Sequence, residues 1–259
     1  MFSSSLKSLL GGAALLAAAP AFADSTTTIP LFEADIAAAR LATSPGGVTV
    51  IRTEMRGAVS RFFQDDSKID AAERTYLADR IADPPFNVGV TATAMKYLID
   101  THELNDGATT HAPLWLDVLP QTPADYFGAT GPLTVSTEIM EGYIPNGQGV
   151  ANQATLNYKA GAAFRHGYPR NFHPITVQEL LAELTSQTDN GQPNSDEVDG
   201  ALAFITQISR NSNRRYSASW YCRTYCGGGG PGDTAGDYIA AVSTDRRFVR
   251  MVRVTTWSE

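Results

Sequence analysis

Arg214-Arg215-Tyr216-Ser217-Ala218-Ser219-Trp220-Tyr221-Cys222-Arg223 decides the fold class. Tyr216, Ala218, Trp220 and Cys222 alternate with Arg215, Ser217, Ser219 and Tyr221. Successive side chains of a strand point to opposite faces, so this period of two predicts a strand with one dry and one wet face. Tyr238 to Ser243 and Phe248 to Trp257 read as two further strands joined around Thr244-Asp245-Arg246. Together they predict a three-stranded antiparallel meander, with the preceding helix laid across its apolar face.

Working upstream, Pro174 opens a pair of helices. Thr176 and Glu179 stand at capping-box spacing, where each side chain satisfies a free backbone N–H of the other residue, and Ile175 and Leu180 form a hydrophobic staple over that turn. The helix continues through Leu181 and Leu184 towards the stop at Asp189-Asn190-Gly191. A second helix starts near Asn194 or Ser195 and places Val198, Leu202, Ile205 and Ile208 on one face. Nearer the amino terminus, Pro30 to Thr43 predicts a short helix. Met55, Val59, Phe62 and Phe63 predict a second with Thr53 as its cap; Ile69 to Ile81 and Val90 to Leu98 predict two more. Residues 105–172 are rich in Pro, Gly, Thr and Asn, with strands expected at Leu133 to Ile139 and Ala154 to Tyr158. The fold class is α+β: a helical region over 24–104, an irregular middle segment, and a carboxyl-terminal helix pair with the meander, the α+β region spanning 105–259.

Residues 1–23 carry one cation, Lys7, then the apolar run Leu9 to Ala19, then Ala21-Phe22-Ala23. That order predicts a cleavable signal peptide, so the mature chain is expected in the periplasm or secreted, with no integral membrane segment after cleavage. In that compartment Cys222 and Cys226, the only two cysteines, are expected to pair as a disulfide. Hydrophobic residues make up 43% of the chain, enough for a core. The net charge is −7, yet Gln207 to Glu259 carries +4, so the remainder carries −11. That asymmetry either steers an anionic partner to the carboxyl-terminal part or draws the two parts to one another, and the second is the simpler reading. No basic run interleaved with aromatics is present, so nucleic acid is not an expected partner.

Three stretches carry candidate chemistry. Phe164-Arg165-His166-Gly167-Tyr168-Pro169-Arg170-Asn171-Phe172-His173-Pro174 gathers two His, two Arg and bulky aromatics before a well-capped helix. Loops hung on rigid elements collect binding groups; His titrates near neutrality and paired Arg grips anions. His166 and His173 are the candidate catalytic pair, with Arg165, Arg170 and Tyr168 as ligand-binding residues. A structural loop of hydrogen-bonded His explains the same letters.

The second stretch is Phe62 to Glu73. Ile69, Asp70 and Glu73 resemble the second half of the calcium loop of the EF-hand family, matching its central apolar position, its ninth position and its closing glutamate. The resemblance implies a metal role for Asp70 and Glu73. Phe62, Gln64 and Ser67 replace residues that the loop requires, and a capping box between Asp70 and Glu73 accounts for the same letters. No cofactor is expected beyond that calcium reading. The third stretch is Cys222 as a nucleophile, which would need His102, His111, His166 or His173 to take its proton. The acids Glu138 and Glu141, or Asp117 and Asp125, are further candidates for paired-carboxylate chemistry. The motifs G-x-S-x-G and H-E-x-x-H are missing from the sequence, and S-x-x-K occurs only at Ser4 to Lys7 within the expected signal peptide. The Gly-rich run from Gly227, set between strands with no Lys entering a helix, reads as a hairpin connection and not a phosphate cradle.

The expected function is therefore a non-catalytic exported protein that binds a ligand or an envelope partner. The alternative is an exported hydrolase with its site around the 164–174 loop.

Overall fold

A computed structural model describes residues 25–107, 115–117, 122–163, 169–223 and 232–259. The signal-peptide reading of residues 1–23, and Arg165, His166, Tyr168, His111 and Cys226, lie outside the described residues.

The amino-terminal helices are α1 (Ser25–Ala39), α2 (Arg52–Val59), α3 (Ala71–Ala82), α4 (Pro84–Asn87) and α5 (Ala92–Leu104). They close around one core. Phe32 and Ile36 of α1 meet Met55 and Val59 of α2, Leu77 of α3, and Tyr97 and Leu98 of α5. Phe32 stacks on Phe62 with centroids 5.2 Å apart and meets the edge of Tyr76 at 5.8 Å. The predicted Thr53 cap gives way to an earlier start. Glu54 reaches back to accept from the backbone N–H of Ile51 at 2.9 Å and of Gly46 at 3.2 Å, so the helix opens at Arg52.

After this cluster come β1 (Trp115–Asp117), α6 (Pro123–Phe127), α7 (Pro132–Val135), β2 (Thr137–Tyr143), α8 (Gln153–Ala163) and β3 (His173–Pro174). The expected strand at 133–139 starts late. Pro132 takes the first position of a single helical turn, and pairing begins at Thr137. The expected strand at 154–158 is overturned, because it is the first half of α8. Asn152 Oδ1 accepts from the backbone N–H of Thr155 at 2.9 Å, a side-chain cap, and Leu156 and Ala160 are buried one turn apart.

The chain ends with α9 (Val177–Leu184), α10 (Ser195–Asn211), β4 (Arg214–Cys222), β5 (Thr234–Val242) and β6 (Phe248–Ser258). The capping box predicted for α9 is present: Glu179 N donates to Thr176 Oγ1 at 3.1 Å and Thr176 N donates to Glu179 Oε2 at 2.7 Å. The buried stripe of α10 is rotated from the predicted one. Ala201, Phe204, Ile205 and Ile208 face inward, while Leu202 is exposed. Gly200 sets that rotation, since a Cβ there would sit 1.5 Å from the carbonyl oxygen of Phe127.

The meander β4–β5–β6 is antiparallel throughout and forms the centre of a six-stranded sheet in the order β1-β2-β6-β5-β4-β3. Both faces are covered. Tyr216, Ala218, Trp220, Tyr238, Ala240 and Met251 pack against Leu156 and Ala160 of α8. Ile239, Ala241, Val252 and Val254 pack against Leu180 and Leu184 of α9 and Phe204 and Ile205 of α10. The helix pair thus lies on the face that β4 alone shows as wet, opposite to expectation. The wet alternation belongs to β4; β5 and β6 present apolar side chains to both sides.

Ion pairs tie the helical cluster to this unit. Arg214 Nε meets Glu103 Oε2 at 2.8 Å, and Arg246 Nη1 meets Asp106 Oδ2 at 2.7 Å. Within the sheet, Arg253 pairs with Glu138 at 3.2 Å and Arg250 with Glu141. The basic excess of the carboxyl-terminal part is met by acids from earlier in the chain. Among the described residues no helix is long and apolar enough to cross a membrane.

Candidate functional site

The segment singled out in the sequence, where described, divides between two places. Asn171 lines a cleft of about 360 Å³ between the helical cluster and α8. His173 pairs in register with Ser217, so both side chains emerge on the α9 side of the sheet. Arg170 is exposed, and its backbone N–H donates to the carbonyl of Ser219 at 2.8 Å. Of these three, the cleft takes in Asn171 alone.

The cleft is built from four elements. The turn before α3 supplies Asp66, Ser67 and Lys68; α3 supplies Arg74. The end of α5 supplies Asn105 and Gly107, and the start of α8 supplies Asn152, Gln153 and Asn157. Five of its side chains, counting Asn171, are amides. Asn105 and Asn152 are buried and fixed by the backbone: Asn105 Nδ2 donates to the carbonyl of Thr101 at 2.9 Å, and Asn152 caps α8. Gln153 Nε2 reaches Asn171 Oδ1 at 3.4 Å. Gln153 Oε1 and Asn157 Oδ1 are buried and find no donor among the described residues. Arg74 Nη1 donates to the carbonyl of Ile69 at 2.9 Å, and its guanidinium lies over Gly107, whose φ is +68°. Ser67 holds φ at +64°, a left-handed conformation that costs a serine energy, while Asp66 accepts from the N–H of Lys68 at 2.8 Å.

The second place is polar and titratable. Ser217 Oγ donates to Glu183, 2.9 Å from Oε2 and 3.1 Å from Oε1. Asp237 lies on the same face, one register row away, opposite Ser219. Burial, then the charge of Asp237, push the Glu183 carboxyl up to about 7. Burial also raises Asp237. His173 Nε2 stands 3.2 Å from Arg56 Nη2; burial and then that guanidinium lower its pKa to about 4, so the ring is neutral and accepts. Glu179 is engaged by Arg52 at 2.9 Å.

Asp70 and Glu73 form the capping box of α3. Glu73 N donates to Asp70 Oδ1 at 2.8 Å, Asp70 N donates to Glu73 Oε2 at 2.9 Å, and Thr28 Oγ1 donates to Glu73 Oε1. Glu73 is fully buried, and both of its oxygens have partners inside the fold. Among the described residues no cluster of three or more His, Cys, Asp or Glu is arranged to hold a metal ion. Glu138 and Glu141 do not form a pair. Their partners Arg253 and Arg250 lie on opposite faces of β6, and Tyr126 also donates to Glu141 at 2.8 Å. Asp125 is the capping partner of Thr122 at the start of α6. Cys222 is 9% exposed and lies on the α8 side of the sheet, across from His173.

Neither the amide cleft nor the Glu183–Asp237 pair was anticipated in the sequence. Asn-rich stretches read there as loop composition, and Glu183 and Asp237, 54 positions apart, come together only because α9 packs across the sheet face that carries Ser217 and Asp237. No protein-family profile, no curated protein and no solved structure matches this chain.

Proposed function

We propose that this chain is an exported, non-catalytic binding protein whose ligand is a small, uncharged, polyhydroxylated molecule held in the amide cleft. One observation carries the reading: the buried carbonyl oxygens of Gln153 and Asn157 face no donor among the described residues. An unsatisfied buried acceptor costs about 1–3 kcal/mol, which a ligand hydroxyl would recover. Amides both donate and accept, as hydroxyl groups do, so an amide wall suits such a ligand better than an ion or a hydrocarbon. The volume of about 360 Å³ fits a small molecule, and junctions between packed units are favoured places for ligands. Export rests on the reading of residues 1–23, and the intact mass of the native polypeptide tests it.

The binding test is a thermal-shift screen of the mature chain with neutral mono- and disaccharides against their acidic and amino derivatives. Stabilisation by a neutral sugar, lost in Asn157→Leu and Gln153→Met, supports the reading; stabilisation that survives both substitutions defeats it. A second reading, hydrolysis with Glu183 as general acid, draws support from a carboxyl poised near neutrality beside a second carboxylate. It requires a turnover activity that Glu183→Gln abolishes.

A further inference from the structure

At the end of the sheet beyond Glu183, the face that α9 and α10 cover elsewhere carries two exposed aromatics. Tyr221 is 46% exposed and Trp257 is 45% exposed. Register explains why they share a face: Tyr221 pairs with Ala235, and Ala235 pairs with Trp257. Regular alternation along β6 from the inward Val254 would turn Trp257 to the opposite side. The ladder shifts between Ala235 and Gly236, which pair with Trp257 and Thr255 respectively, so Thr256 is an extra residue and Trp257 swings onto the side of Tyr221. Gly236 permits the shift, since a Cβ there would lie 1.9 Å from the carbonyl oxygen of Val254. Strands lie roughly 4.8 Å apart, so the two aromatic residues are anchored on backbones roughly 10 Å apart, with the methyl of Ala235 between them.

The surroundings of this trough are acidic. Asp233 accepts from the Tyr221 hydroxyl. Asp237 occupies the next row, beside the exposed Ser219, and no hydrogen bond or ion pair reaches its carboxylate from any described residue. Glu259 lies near Tyr221 as well, and Arg223 is the one cation among the charged neighbours that act on that phenol. Ring faces attract cations, Trp most strongly, and the unpaired carboxylate adds to that attraction while repelling phosphates and other anions. Two half-exposed rings suit a side chain presented by an extended chain rather than an enclosed small molecule.

We propose that the Tyr221–Ala235–Trp257 trough, with Asp237 at its side, docks a lysine or arginine side chain presented by a partner polypeptide. This site is separate from the amide cleft, and its test does not depend on that cleft.

The experiment is fluorescence anisotropy of the full mature chain with a labelled oligolysine peptide, an oligoglutamate and an oligoserine of equal length, at low and at high salt. Oligolysine should bind at low salt and weaken as salt rises, with the other two silent. Cation–π contacts of this kind predict a loss of about three- to thirtyfold in Trp257→Ala, and a smaller loss in Trp257→Phe, which keeps a ring. Asp237→Asn should also weaken binding. Circular dichroism of each variant separates a lost site from a lost fold. Oligolysine affinity unchanged in both Trp257→Ala and Asp237→Asn would overturn the proposal. So would equal binding of oligoglutamate, or binding of a neutral oligosaccharide at the trough in place of the basic peptide.

Discussion

Replacing Glu73 by alanine tests how the helical cluster is held together. The side chain is fully buried and accepts from the backbone N–H of Asp70 and from the hydroxyl of Thr28, 45 residues away on α1. Alanine takes the acceptor from the Asp70 N–H, at about 1–3 kcal/mol where water cannot reach it, and removes the buried hydrogen bond from Thr28, worth about 0.5–1.5 kcal/mol. A total near 3 kcal/mol follows, allowing for some rescue by water. In a chain of this size, 1 kcal/mol moves the melting temperature by about 2–4 °C, so a fall of about 6–12 °C is expected. The assay is thermal unfolding followed by circular dichroism, with and without calcium. A loss under 1 kcal/mol would refute the reasoning. A calcium-dependent stabilisation of the parent chain that vanishes in the variant would show that Glu73 serves a metal rather than a cap.

Other expectations follow from the same structure. Glu183 has its folded-state pKa raised to about 7 from 4.5, so the folded state holds a proton that the unfolded state has already released. Its stability contribution is full below about 4.5 and is lost as pH rises through about 7, amounting to at most about 3 kcal/mol, and Glu183→Gln should flatten that slope in urea titrations. Leu156→Ala should cost about 2–5 kcal/mol in equilibrium unfolding, because Leu156 is fully buried against the sheet; a cost near zero would contradict a helix at 153–163. A double-mutant cycle on Glu103 and Arg214 should return a coupling of about 1 kcal/mol, since the pair is partly buried and doubly hydrogen-bonded.

The legible parts of the fold were those with short-range causes. The α9 cap is written in Thr176 and Glu179, and the β4 alternation in ten consecutive letters, because each depends on residues within one turn or one pleat. The α3 cap was legible too, although the same letters also fit half a calcium loop. What the letters could not show needed a third dimension. Leu202 is as apolar as Ile205, and only the approach of Gly200 to Phe127 turns it outward. The helix at 153–163 was hidden because five residues cannot separate a period of two from the start of a helix when the cap, Asn152, is itself ordinary loop vocabulary. The exposed side of Trp257 depends on one extra residue in a ladder, and a single bulge inverts every downstream parity argument. The amide cleft gathers residues from four elements, none of which carries a local pattern for binding.

The claim that the amide cleft holds an uncharged ligand can be read directly from the side-chain NH₂ resonances of Gln153 and Asn157 in a ¹⁵N-labelled mature chain. Titration with the neutral sugar that gives the largest thermal shift should move both pairs in a saturable, matching fashion while the Trp257 indole N–H stays still. Resonances of Gln153 and Asn157 that do not move while others do would contradict the account.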